Sequence, residues 1–175
     1  MSKKKLNPRR IPLSKAAVDK DKIVEEAMKD DMYHAWLLVA TALVDLEYAQ
    51  PSEIQTLCDK VNLFAKKEAT NDAMERADRL MGIGPKPRLN IERVKSPVEL
   101  EKFKKKVKQI AIHTSLAVIC LGLESTGKFN AGDLHRIFFN ADLTQAEIAG
   151  GLEDYNNLER QLLNKMVTIE LDEEM

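Results

Sequence analysis

A chain of 175 residues is one domain by the usual size prior, or two small ones. A hydrophobic fraction of 44% suffices for a buried core, and a formal net charge of -1 argues against wholesale coating of nucleic acid. The two cysteines, Cys58 and Cys120, make no disulfide framework and no secretory signal pattern is present, so buried free thiols and a cytoplasmic setting are expected.

The charge is unevenly spread. Residues 1–30 carry nine Lys/Arg against five Asp/Glu, and residues 31–83 carry five against nine. Residues 84–108 carry nine against three, a local +6, whereas residues 109–175 carry four against eleven, a local -7. Such a dipolar chain suits charge-steered partner binding or head-to-tail association.

In chain order, residues 1–13 are predicted to form a disordered basic tail. Lys3, Lys4, Lys5, Arg9 and Arg10 make it either a phosphate-contacting arm or a solubilising leader. Residues 14–169 are expected to form a single helical domain, followed by an acidic tail over 170–175. Ser14 to Asp30 reads as a first helix, with a stop or bend at Asp30 and Asp31. Met32 to Leu46 reads as the next, its apolar face built from Trp36, Leu37, Val39, Ala40, Leu43, Val44 and Leu46. Tyr33 and Trp36 are expected to pack with their polar tips near the surface, and His34 to be structural.

Pro51, Ser52 and Glu53 open a further helix capped from Gln50 or the preceding turn, with Ile54, Leu57, Cys58, Val61 and either Phe64 or Leu63 inward. Thr70 or Asn71 caps a short helix through Ala73, Ala77, Leu80 and Met81. The glycines and prolines of residues 82–90 break regular structure. GIGPKP lacks the spacing and the Lys-Ser/Thr of a phosphate loop, and no cofactor motif is present.

Ser96 to Gly122 is the central element. Ser96 caps it, Pro97 suits the first turn, Glu99 completes a capping box, and Gly122 is the expected stop. Its first half is basic around Leu100, Phe103, Val107 and Ile110. Its second half is apolar, about 12 residues long against the roughly 20 that span a bilayer, so no membrane partner is expected. Either the basic half projects beyond the core or the helix breaks near Lys108. Beyond a polar loop, Asp133 to Phe139 reads as helical, with an interruption at Asn140 to Asp142. Thr144 and Glu147 then form a capping box for a helix that Gly150 and Gly151 weaken or divide. Leu152, Tyr155, Leu158, Leu162 and Met166 define a last amphipathic helix.

The sequence offers a candidate internal repeat, the alternative being the chance alignment of two amphipathic helix pairs. His34 to Val39 lies over His113 to Val118, and Ser52 to Cys58 lies over Gly132 to Phe138 with one residue inserted. It predicts two similar helical halves, 14–82 and 96–169, joined by 83–95 and sharing one core. The fold class is therefore all-α, an irregular bundle of six to eight helices.

Chemistry is sparse. His34, His113 and His135 have no metal-ligand neighbour at helical spacing, and His113 and Cys120 are two turns apart, beyond hydrogen-bond reach. Glu75 and Asp78 form one carboxylate pair of the kind helical nucleotide hydrolases use for divalent ions, without a second. TQAEIA opens like a helix-turn-helix, but the following helix carries Glu153, Asp154 and Glu159 against only Arg160 and Lys165, where phosphate contact requires the opposite balance. The candidate interaction face is basic: Arg93, Lys95, Lys102, Lys104, Lys105, Lys106 and Lys108. The expected function is a non-enzymatic binding, regulatory or structural protein acting through helix-face contacts with a protein partner or with itself. The alternatives are an accessory DNA- or RNA-binding protein using that face and the N-terminal arm, and a helical metal-dependent nucleotide hydrolase.

Overall fold

The computed structural model describes residues 20–68, 71–82, 94 and 96–171. The basic arm at residues 3–10, Arg93, Lys95, most of the 83–95 connection and the acidic end at 172–175 lie outside the described residues.

Among the described residues there are six α-helices, one short 3-10 turn and no strand. The all-α expectation therefore holds. The first helix, α1, runs unbroken over Lys20–Asp45, where the sequence pointed to a break. Of the polar pair that read as a stop, Asp31 sits inside the helix, 1% exposed, while Asp30 stays on the exposed side, so α1 continues through both. After α1 comes a 3-10 turn at Pro51–Glu53, held by a capping box between Gln50 and Glu53, which leads into α2, Ile54–Glu68. Then comes α3, Asn71–Met81.

The central helix, α4, spans Pro97–Ser125, and Ser96 caps it by accepting the Glu99 N–H at 3.2 Å. It does not break near Lys108, and Phe103 and Val107 are buried, so its basic half also packs along one side. Gly122 is not its stop. A Cβ there would lie 2.7–2.9 Å from the Val61 side chain, so the glycine serves close packing against α2 instead.

Helix α5 is continuous over Ala131–Ala149, with an Asn130–Asp133 capping box at its start. The expected interruption and the Thr144 cap are absent. The Thr144 hydroxyl instead donates to the Asn140 carbonyl one turn back at 3.2 Å, which leaves the helix intact. Gly150 and Gly151 end α5 rather than divide it. Gly151 takes φ +75°, and the Leu152 N–H returns to the Glu147 carbonyl at 2.9 Å, a Schellman closure. Asp154 caps the last helix, α6, Tyr155–Asn164. Leu46, Leu152 and Met166, read as inward positions, are 38%, 84% and 88% exposed because each belongs to a helix-ending turn.

The packing has a reciprocal plan. The main neighbours of α1 are α4, α5 and α6, and those of α4 are α1, α2 and α3. Each long helix is thus clasped by the short helices of the opposite half. This contact pattern is consistent with two similar halves. Local detail repeats at the spacing the sequence alignment required. The capping boxes Gln50–Glu53 and Asn130–Asp133 correspond, and so do buried Ile54 and Leu134, Leu57 and Ile137, and Cys58 and Phe138. One continuous apolar cluster takes side chains from all six helices, with Trp36, Leu38, Leu43, Leu116, Ile119 and Phe138 fully enclosed. Trp36 is wholly buried and its Nε1 has no hydrogen-bond partner, against the expectation of a tip near the surface.

Candidate interaction surfaces

At 100° per residue, burial of Phe103 and Val107 fixes the inward side of α4. Lys102, Lys104, Lys105, Lys106 and Lys108 then spread over an outer arc of roughly 200°. All are exposed except Lys106, which is half-buried. Lys104 pairs with Glu101 on its own helix at 3.2 Å. Lys102, Lys105, Lys106 and Lys108 form no ion pair with another described residue. An ion pair on an open surface neutralises little charge in any case, so the arc stays positive. No aromatic side chain is interleaved among these lysines. A cavity of ≈ 190 Å³ lies at the start of this helix, against Ser96, Val98, Glu99 and Lys102.

The acidic C-terminal region does not lie on that face as far as it is described. Val167, Thr168 and Ile169 border a cavity with Tyr33 and Leu37 of α1, and Glu170 reaches α2. The Gln55 side chain brackets the backbone of Glu170, donating to its carbonyl at 3.1 Å and accepting its N–H at 2.9 Å. By length and composition, α4 contains a window apolar enough to cross a bilayer, and 67% of that window is buried inside the bundle.

The three histidines are dispersed. His113 is 8% exposed and meets Asp78 of α3 at 2.8 Å. Asp78 is therefore committed to a histidine rather than paired with Glu75. His34 stacks on Tyr155 of α6, with centroids 3.9 Å apart. Its Nδ1 is 3.5 Å from buried Asp31, whose oxygens have no hydrogen-bond partner. His135 lies on the surface against the end of α3, where a Cβ at Gly82 would strike its ring. Among the described residues no group of three or more His, Cys, Asp or Glu could hold a metal ion. Both thiols are buried and free. Burial, with a lesser contribution from Glu124, pushes the Cys120 thiol up to about 12, which keeps it a poor nucleophile.

No protein family matches the chain, and neither does any curated protein or solved structure.

Helix α6 is held to α1 by polar contacts at its middle and at its C-terminal cap. Tyr33 donates to Glu159, and Lys165 pairs with Asp45. Tyr33 and Tyr155 are both raised to about 12, first by burial and then by Glu159 and Asp31 respectively. At the matching place in the other half, Arg76 of α3 pairs with Glu124 at the end of α4 at 2.6 Å.

A second surface escaped the sequence reading. Phe139 and Leu143 on α5 are 56% and 49% exposed, one turn apart and facing away from buried Leu134, Ile137, Phe138 and Ala141. The signal was present in the spacing. With 134, 137, 138 and 141 turned inward, positions 139 and 143 fall on the outside of a continuous helix. Supposing a break at Asn140 hid it. Leu152 extends this apolar surface in sequence, beside a shallow cavity of ≈ 550 Å³ lined by Ile148, Tyr155, Asn157 and Arg160 among others.

Proposed function

We propose that this protein works by binding rather than by catalysis, and that the outer arc of α4 receives a negatively charged protein partner. The observation that carries this reading is the arc itself: Lys102, Lys105, Lys106 and Lys108 stand on a well-packed helix with no carboxylate partner among the described residues. A rigid, unneutralised face of this kind steers association and sets its orientation. The exposed Phe139 and Leu143 add an apolar contact of the sort protein interfaces use. Two buried cysteines outside any disulfide fit an intracellular setting.

The test is binding of a fluorescent poly-glutamate peptide by the intact protein and by K102E/K105E/K108E. Salt-sensitive binding lost in the variant supports the reading, and equal binding by both defeats it. An accessory nucleic-acid role is the second reading, favoured by the wide lysine arc, which can follow a phosphate backbone. The lack of interleaved aromatics leaves no base-stacking platform there. A DNA or RNA mobility shift lost in the same variant, without peptide binding, would select it.

A further inference from the structure

From the segregation of charge on the described surface, we infer that the α4 face docks the α5–α6 corner of a second copy of this chain. The inference rests on the binding role proposed above and names the partner. From Lys102 to Leu123 there are five lysines and no acid. From Ile137 to Glu159 there are five carboxylates, Asp142, Glu147, Glu153, Asp154 and Glu159, between Arg136 and Arg160 at the two ends. Among the described residues only Glu159 of these is already engaged from another helix, by Tyr33.

These two stretches do not neutralise each other within the molecule. The long-range ion pairs of the described residues are Arg76–Glu124, Lys128–Glu53, Lys165–Asp45 and His113–Asp78, and none joins the two stretches. Asp142 and Glu147 are exposed and flank the outward-facing Leu143 on α5. Phe139 and Leu152 are also exposed on this stretch, so negative charge and apolar side chains occur on the same elements. That is the complement of a lysine arc whose methylene stems can cover apolar surface while the ammonium groups meet carboxylates. On the α4 side Val98, 39% exposed, adds an apolar contact.

The two surfaces differ and each copy has one of each. The contact is therefore heterologous, and each docking event leaves a free face and a free corner. Association continues past the dimer until a ring closes or a filament grows.

Sedimentation of the full chain tests this. At about 0.05 M salt the weight-average mass should rise with concentration beyond twice 19.8 kDa, and fall back toward 19.8 kDa at about 0.5 M. K102E/K105E/K108E and D142K/E147K should each associate at least about tenfold more weakly, while their equimolar mixture recovers association because each reversed surface meets its complement. Circular dichroism checks that both variants are folded, and K102Q/K105Q/K108Q, which should weaken association less than the Glu version, replaces the first if it is not. A wild type that stays monomeric at low salt overturns the inference, as does a mixture of folded variants that fails to recover. If that monomer still binds poly-glutamate or DNA through the same lysines, the binding role stands and only the second copy is lost.

Discussion

Asp78 of α3 and His113 of α4 meet at 2.8 Å across the boundary between the two halves, with His113 8% exposed. The internal repeat aligns His113 with His34, which faces α6 of the other half through its stack on Tyr155. The same position on each long helix thus carries a histidine turned to the opposite half's third helix. Replacing Asp78 by Ala leaves a buried imidazole without its acceptor and should cost about 1–3 kcal/mol. Urea unfolding of D78A reads this directly, and a loss below about 0.5 kcal/mol would mean that the contact is incidental.

Gly122 offers a test in which two effects have opposite signs. Helix propensity alone would make G122A about 1 kcal/mol more stable. The added Cβ, however, would sit 2.7–2.9 Å from Val61. Overpacking of this kind costs about 1–3 kcal/mol, so net destabilisation is expected. Adding V61A should make the glycine substitution far less costly in a double-mutant cycle. Additive effects would show that Val61 is not what holds Gly122.

Backbone conformation separates two helix ends. Met166 takes φ 62° with its side chain 88% exposed, whereas Gly151 takes φ 75° with open space around it. A left-handed conformation costs a non-glycine residue about 1–2 kcal/mol. M166G should therefore raise the thermal midpoint and G151A lower it, each by about 0.5–1 kcal/mol in stability.

The tyrosines at the α1–α6 contact predict an alkaline weakness. Both are raised from 10.0 to about 12, so the folded state holds their protons more tightly than the unfolded chain does. Their stabilising contribution is complete below pH 10 and is lost as pH rises toward 12. Unfolding followed by phenolate absorbance should show both rings ionising late and together with loss of α6. Y33F/Y155F should flatten stability across that window, and an unchanged slope would disprove the assignment.

Much of this architecture was legible because caps and apolar spacing are local. Ser96, Gln50 and the buried series from Ile54 to Val61 behave as their spacing requires, and the capping boxes match at the offset of the aligned halves. The errors share a cause. Asp30–Asp31 and Asn140–Asp142 read as breaks because polar residues interrupt apolar runs, yet tertiary contacts carry both helices through. Leu152 and Met166 read as core because of their spacing, whereas backbone hydrogen bonds place each in a helix-ending turn. The lysines of α4 were foreseen as a cluster, and their arc follows from which residues the helix buries. Phe139 and Leu143 were missed because they come into register only once α5 is unbroken.

The mutual clasp of the long helices bears on how the chain matures at the ribosome. While only the first 82 residues have emerged, α1 lacks α4, α5 and α6, its main packing partners. Contacts between residues about 80 positions apart carry a high loop-closure cost and slow folding. At roughly 5–20 residues per second the nascent first half waits several seconds with Trp36, Leu38 and Leu43 unsheltered. That interval is when chaperone capture or aggregation competes, and a message truncated after Met81 should yield an insoluble product.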